Sequence, residues 1–120
     1  MKSSARVVII GGGSLGVSLF YHLAEEGWND VILIEKGELT SGSTWHAAGL
    51  CSNFIGNMTV AKIHNYSIRL YDEILPSQSG NPSVFHKCGS LRVGYSRIEE
   101  EWLRHLWSRP KKVPCEFNNI

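Results

Sequence analysis

The sequence predicts an α/β fold built on a parallel sheet, and three observations carry that prediction. A run of four β-branched residues, Val7-Val8-Ile9-Ile10, leads straight into glycines. Apolar residues at helical spacing follow at once. A second apolar run, Val31 to Ile34, comes next and ends on a carboxylate, Glu35. Strand, helix and strand within about thirty residues is the length a parallel crossover needs, and the crossover should be right-handed.

Each element has its own warrant. A strand buried on both faces reads as a continuous apolar run, and Val7 to Ile10 is one. After Ser14, the residues Leu15, Leu19 and Leu23 recur at helical spacing with the small Gly16 and Ala24, and Gly27 stops the helix. "DVILIEK" supplies the second strand. From Met58, "MTVAKIHNYSIRLYDEILP" again reads as a helix. Its stripe is Ile63, Ile68, Leu70 and Leu75, flanked by Tyr66 and Tyr71, and Pro76 should end it. "SQSGNP" reads as a loop. "SVFHKCGSLRVGYS" alternates and predicts two short strands around Gly89. "RIEEEWLRHLWSR" predicts an amphipathic helix with Trp102, Leu103, Leu106 and Trp107 on one side, closed by Pro110. No repeat or low-complexity segment interrupts this order. Only two strands are of the doubly covered kind, which would leave sheet edges exposed. The chain therefore reads as the N-terminal portion of something longer.

Bulk properties narrow the function classes. Of 120 residues, 42% are hydrophobic and 19% charged, a globular composition. Twelve basic and eleven acidic residues give a formal net charge of +1, so no basic field draws in nucleic acid or an anionic membrane. No apolar run is long enough to span a bilayer, and "MKSSAR" leads into a strand rather than a signal peptide. A cytoplasmic setting is expected, or the mitochondrial matrix in a eukaryote. The cysteines, Cys51, Cys88 and Cys115, are odd in number and lack C-x-x-C spacing, so they read as semi-buried residues rather than disulfide or zinc ligands. The five histidines show no metal-binding spacing.

Gly11-Gly12-Gly13-Ser14-Leu15-Gly16 gives G-x-G-x-x-G at positions 11, 13 and 16. The pattern follows a strand, opens a helix, and has Glu35 about twenty residues further on, which is the context of a dinucleotide-binding, Rossmann-like unit. Gly11 allows the tight turn. Gly13 leaves the backbone bare toward a pyrophosphate, and Gly16 lets helix and strand pack closely. The helix N-terminus offers unpaired N–H groups and partial positive charge to phosphate. Glu35 can accept from ribose hydroxyls and would repel a 2′-phosphate. This cradle serves NAD and FAD alike, and the fold does not choose between them.

The stretch from Val7 onward, above all "IEKGELTSGSTWHAAGL" after the glycine cradle, resembles the N-terminus of the flavin-dependent amine oxidoreductases of the D-amino-acid-oxidase-like superfamily. It is most similar to the dimethylglycine and sarcosine dehydrogenase group. "IHNYSIRLYDEI" and "KCGSLRVGYS" resemble that group's next segments. The resemblance implies a glutathione-reductase-like FAD fold and hydride transfer from an N-methylated amino acid to FAD. It further implies an electron acceptor, either another flavoprotein or oxygen. Tetrahydrofolate would enter only through a C-terminal region that this sequence lacks. In that group the W-H-A-A-G histidine, here His46, carries the flavin covalently. A neutral imidazole is required for that bond and is available near neutral pH. The implied cofactor contacts are Gly11, Gly13, Ser14, Leu15, Gly16, Glu35 and Lys36 for the ADP half. Ser43, Thr44, His46, Ala48, Gly49 and Leu50 are those of the following loop. Ser43 and Thr44 can also cap a helix beginning near Trp45. His22, His64, His86 and His105 read as structural. The corresponding division is a nucleotide unit over residues 6–36, a flavin loop over 37–57 and a remainder over 58–120. Two other readings stand beside this one: an NAD-dependent dehydrogenase, for which "GSTWHAAGL" has no use, and a truncated or non-catalytic homologue that keeps only the fold.

Overall fold

The computed structural model describes residues 4–52 and 57–108. The chain divides into two compact units, Met1–Leu50 and Cys51–Ile120. In the first, strand β1 (Val7–Ile10) and strand β2 (Val31–Ile34) pair in parallel, Val7 opposite Val31 and Ile10 opposite Ile34. Helix α1 (Ser14–Glu25) makes the crossover between them. The ladder continues one residue past β1, because Gly11 N–H donates to Ile34 O at 2.8 Å. The glycine turn therefore starts while the chain is still anchored to the sheet.

Gly16 sets how closely α1 lies on β1. A Cβ at this position would collide with the Gly11 carbonyl oxygen and meet Ile9 Cγ2 at 3.4 Å. Ile9, beneath this contact, is only 7% exposed. The helix ends as the glycine predicts. Gly27 has φ +80, its N–H donates to Ala24 O at 3.0 Å, and Trp28 N–H donates to Leu23 O at 2.9 Å. These two bonds satisfy the carbonyls that a helix end leaves open. The Arg6 guanidinium stacks over the Trp28 ring, 4.3 Å from its centroid.

Burial of β1 on both faces is not met. Val8 is 49% and Ile10 86% exposed. Side chains alternate across a strand, α1 covers the Ile9 side, and among the described residues the sheet has two strands only. Leu15 is 86% exposed as well. The close approach at Gly16 turns the helix so that Gly16 and Val17 are half-buried while Leu15 points away.

In the second unit, helix α2 (Met58–Arg69) begins at Asn57, whose Oδ1 accepts from Thr59 N–H at 2.9 Å and Val60 N–H at 3.2 Å. Ala61 is its buried residue, and Leu70, directly after it, is buried as well. Pro76 does not end the helical run. A π-helical turn, Leu70–Ile74, intervenes, and helix α3 (Leu75–Ser79) follows with Pro76 in its first turn. There the missing N–H costs nothing. Leu75 N–H reaches Leu70 O, five residues back, so the widened turn absorbs the break in register. The run stops instead at Gly80, φ +71, and Ser77–Ser79, expected in a loop, are helical.

The two strands expected around Gly89 are absent: residues 81–95 form none. Gly89 is at φ +74 and the local bond is Cys88 N–H to His86 O at 2.9 Å, a tight turn rather than a ladder. Side-chain bonds hold the segment instead. Lys87 Nζ meets Asp72 Oδ2 at 2.5 Å, and Ser83 Oγ donates to Asp72 Oδ1 at 3.5 Å.

Helix α4 (Arg97–Ser108) opens on a capping box that the S-x-x-E spacing could have revealed. Glu99 N–H donates to Ser96 Oγ at 3.3 Å, and Glu99 Oε2 accepts from Ser96 N–H at 3.0 Å and Tyr95 N–H at 2.9 Å. Leu103 and Leu106 are half-buried, and Trp102 is exposed. The side chain of Trp107, Pro110 and Cys115 lie outside the described residues. Cys51 and Cys88 are exposed, not semi-buried, because both stand in irregular segments. No helix among the described residues is long and apolar enough to cross a membrane.

Replacing Gly16 by Ala should lower stability by roughly 3 kcal/mol, the upper end for overpacking, because backbone rather than a flexible side chain must move. Urea melts followed by far-UV circular dichroism read this, and an unchanged midpoint would refute the close packing.

Candidate functional site

The candidate site forms at the C-terminal ends of the two parallel strands, where open α/β sheets bind ligands. Three segments meet there: the glycine turn after β1, Glu35 directly after β2, and the loop that follows. Their junction is Gly12, which the G-x-G-x-x-G spacing passes over. Gly12 is buried, and a Cβ on it would stand 2.6 Å from Leu39 Cδ2 and 3.0 Å from Glu35 Cβ. Its N–H donates to Glu35 Oε2 at 2.6 Å. Its carbonyl accepts from Thr40 N–H at 2.9 Å. The middle glycine of the Gly11-Gly12-Gly13 triplet was the available signal.

Glu35 spends its second oxygen nearby, with Oε1 accepting from Gly37 N–H at 2.9 Å. The Gly12 amide bond is the largest cause holding its carboxyl below the ordinary value of 4.5; the Gly37 bond and the neighbouring Lys36 charge add to it. The carboxylate stays ionised at neutral pH, and each oxygen keeps a lone pair for a hydroxyl donor.

Thr40 has φ +66. A β-branched residue in this left-handed region is strained by about 1–3 kcal/mol. Nothing in the sequence announces the conformation, since threonine is disfavoured there. It aims the Thr40 N–H back at Gly12.

Further along, Ser43–His46 form a single 3-10 turn. The cap assigned to Ser43 and Thr44 is corrected: Gly42 starts this turn, and no side chain caps it. Thr44 Oγ1 turns outward and accepts the Ser14 N–H at 2.9 Å, so it caps α1, thirty residues away. A Cβ on Gly13 would come within 3.0 Å of that oxygen. The bare backbone at Gly13 thus gives room to Thr44.

The structure brings Gly11, Gly13, Ser14, Gly16, Glu35 and Thr44 into one place. His46 ends the 3-10 turn and is exposed, as is Trp45. Ser43, Lys36, Ala48, Gly49 and Leu50 are also exposed, and Leu15 points outward from the first turn of α1. No hydrogen bond among the described residues ties His46 to the glycine turn; Thr44, two residues before it, provides that tie. Two histidines outside the site bond to backbone, as structural residues do: His64 Nδ1 to Ser52 O at 2.9 Å and His22 Nδ1 to Ser18 O at 2.7 Å. No cluster of metal-ligating side chains occurs among the described residues.

The donor set fits the adenosine diphosphate half of a dinucleotide. First-turn amides of a helix lack internal partners, the cradle is one that a Cβ would fill at Gly12 and Gly13, and an ionised carboxylate closes β2. A shallow cleft lined by Arg6, Glu26–Asp30 lies at the opposite, N-terminal ends of the strands and takes no part in this site.

Comparison with known proteins agrees with the geometry. The family described as FAD dependent oxidoreductase matches residues 6–117. Human mitochondrial dimethylglycine dehydrogenase is 46% identical over 90% of the chain, and mouse mitochondrial sarcosine dehydrogenase 56% identical over 97%. The formaldehyde-forming 4-methylaminobutanoate oxidase of Paenarthrobacter nicotinovorans is 39% identical over 83%. The chain spans only 12%, 13% and 12% of these relatives' lengths, respectively.

A depressed carboxylate pKa contributes stability above the unfolded value and loses it as pH falls through the folded one. Glu35→Gln should therefore melt below the parent protein at neutral pH, and the gap should close as pH drops past 4.5. Thermal melts over a pH series measure this; a gap independent of pH would show that the charge plays no part.

Proposed function

The chain belongs to the FAD-dependent oxidoreductase family, and on that premise we propose that it supplies the nucleotide-binding segment of an enzyme that oxidises the C–N bond of an N-methylated amino acid. The observation that carries the reading is the Gly12–Glu35 bond at 2.6 Å, which sets a bare glycine turn and an ionised carboxylate side by side at a helix N-terminus. Family membership decides between the two nucleotides that the cradle admits, in favour of FAD. The substrate class follows the relatives, whose names specify dimethylglycine, sarcosine and 4-methylaminobutanoate.

Each residue has a physical task in this reading. The amides of Gly13, Ser14 and Leu15 and the partial charge of α1 neutralise the pyrophosphate. Gly11 and Gly16 let turn, helix and strand close on one another. Glu35 accepts from the ribose hydroxyls, with Lys36 beside it balancing charge. Ser43 and Thr44 hold the ribityl side of the cofactor, and Ala48, Gly49 and Leu50 leave a flat ring room against backbone. His46 is exposed, which an attachment point requires before the cofactor is in place. In this reading its imidazole would hold the flavin covalently. The flavin supplies the hydride acceptor, and the protein holds and tunes it. An N-methyl amino acid is the substrate and a flavoprotein or oxygen the electron acceptor. In a eukaryote the mitochondrial matrix is the proposed location, in keeping with the mitochondrial dehydrogenases among the relatives.

Intact mass of the full-length protein, with and without His46→Ala, tests this reading. The parent should carry the added mass of one FAD and keep its yellow colour through acid precipitation, and the variant should lose both. A colourless parent that binds NAD would overturn the proposal.

A further inference from the structure

His64 binds the backbone of a residue twelve positions before it. Its Nδ1 lies 2.9 Å from Ser52 O, in a half-buried contact. A carbonyl oxygen only accepts, so the ring proton sits on Nδ1. The bond needs no particular charge state, since both nitrogens donate in the imidazolium. The helix behind this bond is well fixed. Asn57 Oδ1 caps α2 through Thr59 N–H and Val60 N–H. Ala61, three residues before His64 and on the same face, is 1% exposed. Ser52 stands six residues past His46 along the chain. Residues 48–51, which lie between, are exposed and belong to no helix or strand, and Gly49 takes φ +72.

A bond that fixes one end of a short exposed stretch removes conformations from the whole stretch. We infer that His64 is a positioning residue: by holding the Ser52 carbonyl through Nδ1–H, it narrows the positions open to the His46 imidazole and so speeds the bonding of that imidazole to flavin. The inference rests on the covalent-flavin reading above and adds a second histidine with a different task. His46 supplies the bond, and His64 acts only through it. In the attachment step an imidazole N–H of His46 and one C–H of the flavin 8α-methyl break, and an N–C bond forms. The two protons and two electrons stay with the flavin, which is left reduced. Dioxygen then takes them and becomes hydrogen peroxide. What His64 contributes is the share of time that the His46 nitrogen spends within reach of that carbon.

The test uses the full-length protein, purified without flavin and mixed with saturating FAD in air. Acid-stable flavin fluorescence follows attachment with time, and ultrafiltration of early samples gives the FAD bound without attachment. The rate is counted per bound flavin, so that a loss of stability or affinity does not enter it. His64→Asn keeps a donor nitrogen on Cγ, where Nδ1 stands. His64→Asp has the same size and a similar helix propensity but offers only acceptors. His64→Asp should attach flavin about fivefold more slowly, the size of one net hydrogen bond, and His64→Asn should attach it at the parent rate. Equal rates for the Asp and Asn variants would show that the Nδ1 donor has no part. An Asp variant that melts lower yet keeps the parent rate would mark a merely structural contact. Either result overturns the positioning role and leaves the covalent reading intact. A parent protein that forms no acid-stable flavin overturns the covalent reading itself, and the role of His64 falls with it.

Discussion

The backbone of Gly12 is gripped from both sides. Its N–H is held by Glu35 at the end of β2 and its carbonyl by Thr40 at the start of the following loop. Glu35 and Thr40, both more than twenty positions further along the chain, meet at this one residue. The grip fixes the turn after β1 in the shape that presents the α1 N-terminus, and it places the loop's first residues at the mouth of the same turn. Without it, a run of three glycines would carry the largest backbone entropy of any tripeptide. The strain at Thr40 is tolerated because the surrounding bonds over-determine it.

From that grip the rest of the first unit follows. Gly11 remains in the ladder, so the turn cannot swing away from the sheet. Gly16 brings α1 down until its backbone neighbours Gly11. The helix then points its open end at the strands' C-terminal edge, and Thr44 closes that end from the opposite bank. Backbone amides and one carboxylate are thereby gathered at the same edge of the sheet.

Much of this was legible in the residues, for definite reasons. β1, α1 and β2 declare themselves because a parallel unit is local in sequence, and its apolar runs and glycines lie next to the structure they cause. Glu35 and the spacing of Gly11, Gly13 and Gly16 are legible for the same reason. What could not be read depends on contacts across distance. Thr44 reaching to Ser14 spans thirty positions, and nothing in "SGSTWH" tells a local cap from a remote one. Thr40 adopts a conformation its type disfavours, so propensity points the wrong way. Pro76 misleads because a proline at a helix start and one at a helix end look alike until the π turn before it is seen. The segment around Gly89 alternates as a strand does, but a strand exists only where a partner pairs with it, and Asp72 holds this one through side chains. The burial foreseen for Val8 and Ile10 assumed a second layer on the sheet, and alternation along a strand cannot say whether that layer is present.

The glycine turn is built by a carboxylate shared between two amides. Residue-resolved hydrogen exchange of the nucleotide-free chain at neutral pH tests it most directly. The Gly12 and Gly37 amides should exchange slowly and together, and both should speed up together in Glu35→Gln. Gly12 exchanging at the rate of an unprotected glycine amide, with no response to that substitution, would contradict it.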